Sequence, residues 1–325
     1  MCPGAVNTRP HVVGLVRPLV IGLFAVGLLG ACRTGPPDPR QDDTPTAGHV
    51  LVLADVDCRA VIEQELMVFS SFYPKAHVDV RYLEEAALLK AMQNDSVRCA
   101  VTSAAPGGEQ LTWLQARRIT PRLVPVYHAG IAVVVGPSSP LQRLDLGQVR
   151  HLLDRQALTV TTDMANNRAL DSLQAIFAGA GSGVARLLQD SLGIREMKAK
   201  AVPDIRAAME AVTGNARTIA FLPFEAISDL DDPEVRALRA GVRLLPVARH
   251  PQDPAVGPSQ SSLADGSYPL QRTVNMVLTE GKSGLGTGFV SFVANHKGQR
   301  IILKLGVAPV TVPARDVEMA PPPAP

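Results

Sequence analysis

Four cysteines in 325 residues are too few for a disulfide scaffold. Cys2, Cys32, Cys58 and Cys99 are also too widely spaced for a zinc ribbon. His77, His128, His151, His250 and His296 show no HxxxH spacing, so no metal site is expected. No Gly-x-Ser-x-Gly elbow is present, and no nucleophile–base pair is visible, which argues against a hydrolase and against an enzyme generally. Glu280-Gly281-Lys282-Ser283 ends like a phosphate-binding P-loop, but Met276 stands where the leading glycine belongs. Gly284 to Gly288 is not a dinucleotide fingerprint, because its third glycine comes one residue early. No nucleotide or other cofactor is therefore expected. Charge of one sign is also lacking: 32 basic residues face 30 acidic ones, a poor footprint for nucleic acid. What is present is a 46% apolar, 19% charged chain, enough for packed cores and of a length for about two domains.

Long apolar runs are nearly absent too. The exception is Leu19 to Leu29, which follows a weakly cationic start at Arg9, His11 and Arg17. It is short of the roughly 20 residues of a membrane span and fits the core of a secretory signal. Leu29-Gly30-Ala31-Cys32 closes it and looks like a bacterial lipobox, in which the cysteine is lipidated and becomes the first mature residue. Residues 1–31 are thus read as a lipoprotein signal peptide, with membrane anchoring at Cys32. Removing Arg9 and Arg17 leaves a mature chain with no net charge. Residues 32–49, rich in Pro, Asp and Thr, are read as a flexible linker, and 318–325 as a disordered tail.

Between these ends, apolar strands alternate with helices. Strands are expected at 50–54, 78–82, 99–102, 131–135, 158–162, 218–222, 242–247 and 272–278. Helices are expected at 59–72, 84–93, 146–153, 168–178, 205–212, 289–295 and 298–305. The pattern argues for an α/β fold with mostly parallel sheets covered on both faces.

Several segments resemble the phosphate-binding component of bacterial ABC importers: IAVVVGPSSPL (131–141), LDLGQVRHLL (144–153), RTIAFLPFEAI (217–227), SYPLQRTVNMVL (267–278) and GTGFVSFVANHKGQRIILKLGVAPV (286–310). Tyr268-Pro269-Leu270 and Gly298-Gln299 with Gly306 are the most specific pieces. The resemblance implies a two-lobed, type II periplasmic-binding-protein-like fold with two crossing strands. Lobe I would comprise 50–130 and 271–317, and lobe II 131–270. It also implies a monomeric extracytoplasmic protein, in the periplasm or at the cell surface, that hands inorganic phosphate or a similar oxyanion to a permease. The alternative is a sensor or interaction protein on the same scaffold that has lost phosphate binding.

Oxyanions sit well on helix N-termini, where unpaired N–H groups and a partial positive charge converge. Three strand-to-helix loops qualify. The first holds Asp57 and Cys58, the second Thr102 and Ser103, and the third Asn166, Asn167 and Arg168. Family members carry a Ser-Gly-Ser-Gly-Thr-like run in the third loop, from which 163–168 departs. Asp57 reads either as a plain cap of the helix that follows it or as a ligand group. Cys58, at a helix start, is expected to have a lowered thiol pKa. A Cys58–Cys99 disulfide is not expected, since the two would lie at opposite strand ends.

Overall fold

The protein was analysed as a computed structural model that describes residues 43–94, 97–155, 158–163, 166–170 and 173–312. The signal segment, Cys32, the first part of the linker and the tail lie outside the described residues. In chain order the elements are β1 (Gly48–Asp55), α1 (Arg59–Phe72), β2 (Ala76–Leu83), α2 (Glu85–Ala91), β3 (Cys99–Thr102), α3 (Gly108–Ala116) and β4 (Arg122–Val135). Next come β5 (Leu144–Asp145), α4 (Leu146–Arg155), β6 (Leu158–Asp163), β7 (Asn166–Leu170), β8 (Gln174–Ala178), α5 (Gly183–Leu192), β9 (Lys200–Val202), α6 (Ile205–Gly214) and β10 (Thr218–Pro223). The chain ends with α7 (Pro233–Ala240), β11 (Arg243–Leu244), β12 (Val247–Ala248), α8 (Gln260–Ala264), β13 (Gln271–Leu278), α9 (Leu285–Ala294), α10 (His296–Lys304) and β14 (Ala308–Pro309).

One sheet runs through both lobes in the order β2-β1-β3-β13-β4-β10-β8-β9. β1 pairs in parallel with β2 and β3, and β8 with β9 and β10. Alternation along β1 covers both faces of its half. Val52 and Ala54 join a core with Val61, Ile62, Phe69 and Phe289, while Leu53 turns to Leu88, Met92 and Val97.

β4 is the shared strand. Its first stretch, Arg122 to Gly130, pairs with β13. From Ile131 onward it pairs with β10 instead. The chain returns at Tyr268–Leu270, next to that changeover. Ile131 N–H donates to the Leu270 carbonyl at 2.8 Å. The buried Tyr268 hydroxyl donates to the Ile131 carbonyl at 2.6 Å. The Tyr-Pro-Leu motif thus pins the point where the sheet changes lobes. The Gly298-Gln299 motif is equally structural. Gln299 is buried with its amide nitrogen donating to the Val126 and Val293 carbonyls, and its oxygen accepting from Thr311 N–H. A Cβ at Gly298 would lie 2.4 Å from the Val293 carbonyl oxygen, so only glycine allows this helix junction.

The strand read at 242–247 is split into Arg243–Leu244, paired with β4, and Val247–Ala248, paired with β5 in a separate sheet. Two further expectations change. The helix read at 168–178 is absent: Asn166–Leu170 and Gln174–Ala178 are strands. Its residues Ala175, Ile176 and Phe177 form a short, wholly buried run, which periodicity does not distinguish from a helix segment. The second change is at the linker. The Asp43 carboxylate accepts from Leu285 N–H at 2.8 Å and Ala47 is buried, so the chain is docked before residue 50.

Candidate functional site

The carboxyl ends of β1, β3 and β8 meet between the lobes. β1 ends in Asp55 and a short 3-10 turn, Val56–Cys58. Asp55 is fully buried, and its Oδ1 accepts from Asp57 N–H at 3.2 Å. Burial, reinforced by the Asp57 charge and opposed by Arg272, pushes the Asp55 carboxyl up to about 8. Asp57 does not cap the helix that follows it; Cys58 holds that position with no side-chain bond. Instead the Asp57 Oδ2 accepts from Ser182 Oγ and Val184 N–H, each at 3.0 Å. It therefore caps α5, a helix of the other lobe.

A second carboxylate makes a similar crossing. Glu85, at the start of α2, is fully buried. Its Oε1 accepts three hydrogen bonds after β3: Thr102 Oγ1 at 2.8 Å, Ser103 Oγ at 3.0 Å and Ala104 N–H at 3.0 Å. Its Oε2 is bound by Nε of Arg186, which projects from α5 and also pairs with Asp190. Burial works to raise the Glu85 pKa, but Arg186 and Thr102 outweigh it and hold the carboxyl below its ordinary value. The contact is tight. A Cβ at Gly183 would lie 2.5 Å from Asp55 Oδ2 and 3.2 Å from the Glu85 Cδ, so α5 reaches the carboxylates only because Gly183 opens it.

Arg272 of β13 lies beneath these groups and is nearly inaccessible. Its Nη2 is 2.5 Å from Glu225 Oε1, and its Nη1 is 3.5 Å from Asp57 Oδ2 and 4.0 Å from Asp55 Oδ2. Burial alone would lower its pKa, yet Glu225 and Asp57 hold it charged, well above the ordinary value. An adjoining pocket of about 700 Å³ opens from Asp57, Glu84, Gly179 and Glu225. Its walls carry eight carboxylates against two guanidinium groups. That field disfavours a dianion at the mouth.

The structure thus brings Asp57, Thr102 and Ser103 together. Cys58 is fully buried in the core, and desolvation followed by the Asp55 charge pushes its thiol well above the usual value rather than lowering it. Cys58 and Cys99 are free thiols. Asn166, Asn167 and Arg168 do not open a helix; they lie on β7, hairpinned to β6. The helix that enters the cleft from the second lobe is α5, preceded by Gly179-Ala180-Gly181-Ser182-Gly183. Its signal was present: a serine N-cap directly before apolar residues at helical spacing. Glu85, Arg186, Glu225 and Arg272 were missed. Arg272 alone had a legible sign, as the single charged residue of the strand Gln271–Leu278.

A family model described as a PBP superfamily domain matches residues 41–297. The chain belongs to that superfamily. Among solved structures, this PBP chain is similar to a Clostridium perfringens protein solved with bound phosphate, at 18% identity and a TM-score of 0.65, covering 81% of this chain and 100% of that one. It is similar at 15% identity and a TM-score of 0.62 to an ABC-type phosphate transport receptor from Vibrio cholerae, again over 81% and 100%. At these identities the likeness shows the fold. A curated relative, phosphate-binding protein PstS 2 of Streptococcus pneumoniae, is 30% identical over 94 residues, 29% of this chain and 26% of the relative. The match thus spans about a quarter of that relative's length. No helix among the described residues is long and apolar enough to cross a membrane.

Proposed function

We propose that this chain is the solute-binding component of an ABC importer, lipid-anchored through Cys32 outside the cytoplasm, with a seat for phosphate or a related oxyanion between its lobes. One observation carries the reading. Hydroxyl, backbone N–H and guanidinium donors from both lobes converge on carboxylate oxygens, through Thr102, Ser103 and Ala104 on one side and Ser182, Val184 and Arg186 on the other. Such a donor set suits an oxyanion and little else. The phosphate-related names of its structural and curated relatives support the choice of anion. The lobe limits read from sequence, 50–130 with 271–317 and 131–270, fit the partner change of β4 at Ile131. Asn166, Asn167 and Arg168 stay in the proposal only as residues of the β7 strand. The function is binding and delivery to a permease by a monomer, without catalysis.

A second reading is favoured by a separate observation. The donors are already engaged by Asp57 and Glu85, and the pocket walls are acidic. A sensor or interaction protein with no oxyanion ligand would look the same. Calorimetric titration of the detergent-solubilised chain with phosphate and sulfate separates the two. Saturable binding that falls about ten- to a hundred-fold in Arg186→Ala supports transport, since a hydrogen bond to a charged group is worth roughly 1.5–3 kcal/mol. No saturable oxyanion binding supports the sensor reading. Mass spectrometry of the membrane fraction tests the anchor, with an unmodified Cys32 as the result that removes it.

A further inference from the structure

We propose that Glu85 is the resident oxyanion of this protein: its carboxylate fills the seat made by Thr102, Ser103, Ala104 N–H and Arg186, latches the two lobes together without solute, and competes with any free oxyanion for that seat. The inference rests on reading the seat as an oxyanion site.

Glu85 takes three donors of the second loop. Thr102 Oγ1, Ser103 Oγ and Ala104 N–H all point at one oxygen, at 2.8, 3.0 and 3.0 Å. The other oxygen takes the guanidinium of Arg186. A hydroxyl pair, a backbone N–H and an arginine around one fully buried anion make the coordination that a bound solute would otherwise receive. Glu85 reaches it from within the chain, from the first residue of α2, so it pays no translational entropy of association. A free anion must therefore displace a tethered one.

Displacement has no room to proceed side by side. The 2.5 Å and 3.2 Å approaches of Asp55 and Glu85 to a Cβ at Gly183 leave no gap between α5 and the carboxylates. Either Glu85 swings out or the lobes part. Arg186 belongs to α5 in the second lobe and Glu85 to α2 in the first, so the same bond that fills the seat also holds the lobes together. Asp57 adds a parallel crossing to Ser182 and Val184. The apparent affinity for solute is reduced by the fraction of molecules in which the seat is vacant, so a seat filled nine-tenths of the time weakens binding about tenfold.

The test compares the full chain with Glu85→Ala and Glu85→Gln, by calorimetry with phosphate and by thermal shift with phosphate or acetate. Acetate is the carboxylate of Glu85 cut from its tether. The alanine form leaves the seat vacant; the glutamine form keeps the volume and removes the charge, and serves if the alanine form does not fold. We expect phosphate to bind the variants at least about tenfold tighter than the parent. We also expect acetate to stabilise Glu85→Ala and not the parent. Variants that bind phosphate no tighter than the parent overturn the role of Glu85, while saturable binding by the parent leaves the oxyanion reading intact. Acetate stabilisation without phosphate binding in any form supports the role of Glu85 and overturns phosphate as the ligand. A Glu85→Ala protein that folds and responds to neither anion overturns both.

Discussion

Glu65 and Glu85 are equally hidden and chemically opposite. Both side chains are fully buried. Glu85 sits in the cleft with three donors on one oxygen and an arginine on the other, and is held below the ordinary carboxyl range. Glu65 sits on the inner face of α1, where neither oxygen has a partner, and burial pushes it up to about 8. Burial therefore does not set charge; the donors do. The partners built around Glu85 hold that carboxylate charged, whereas Glu65 in the core, and Asp55 in the cleft, whose Oδ2 has no hydrogen-bond partner, are pushed up by burial. The two also act at opposite ends of the pH scale. The folded pKa of Glu85 is depressed, so its contribution is present above its unfolded value and is lost on acidification through the folded one. The folded pKa of Glu65 is raised, so stability is full below about 4.5 and falls as pH rises through about 8.

The harshest way to break the comparison is to remove the cation that lets the cleft hold charge. Arg272→Met would leave Asp57 and Glu225 buried without their counter-ion. Breaking a buried pair from one side costs about 3–5 kcal/mol, and denaturant melts at pH 7 should show a loss of that size. Protonating the orphaned carboxylates should recover part of it, so the deficit should shrink toward pH 5. An unchanged midpoint would mean that the cluster contributes no net stability. Next in size is Glu65→Leu, which removes the core acid. The variant should gain about 3 kcal/mol over the parent at pH 8 and much less at pH 5, because a pKa difference is worth about 1.4 kcal/mol per pH unit. A gain independent of pH would show that packing, not ionisation, separates the two.

Ser182→Ala probes the cleft more gently. It removes the N-cap of α5 and one donor to Asp57, while Val184 N–H stays. The expected loss is about 1–2 kcal/mol. Ser182→Thr should retain most of the stability, and an alanine form as stable as the parent would mean that water replaces the hydroxyl.

The fold was far more legible than the site, for a physical reason. β1, β3 and β10 are apolar runs between turns, and α1 shows its buried face in Val61, Ile62 and Phe69. The Tyr-Pro-Leu and Gly-Gln motifs stood out because buried polar groups there have single solutions. The cleft is built from contacts about 100 residues apart, such as Glu85 with Arg186 and Asp57 with Ser182. No local rule reports those. Asp57 shows the limit well: its preference for helix N-termini was readable, but not that the helix belonged to the other lobe. The loop at 163–168 leads into a strand because Gln174–Ala178, short and wholly apolar at its centre, carries no period that separates strand from helix, and the helix of the second lobe starts only after Ser182.

The smallest effect separates the three donors on Glu85 Oε1. Ser103→Ala removes one hydroxyl and leaves Thr102 Oγ1 and Ala104 N–H in place. An oxygen with a third partner loses less than one with a single partner, so the expected cost is about 0.5–1 kcal/mol. Thr102→Val should cost more. Its hydroxyl is fully buried, donates the shortest of the three bonds, and also accepts from Ala104 N–H at 3.0 Å, so its loss weakens two contacts. A cost of about 1.5–2 kcal/mol would be consistent with that double role. The Ser103 penalty should vanish in a Glu85→Ala background if that hydroxyl acts only through the carboxylate, and the Thr102 penalty should shrink to what its Ala104 contact contributes. A Ser103 penalty that persists there, or a Thr102 penalty undiminished, would place the two residues in the loop's own architecture rather than in a seat built around an anion.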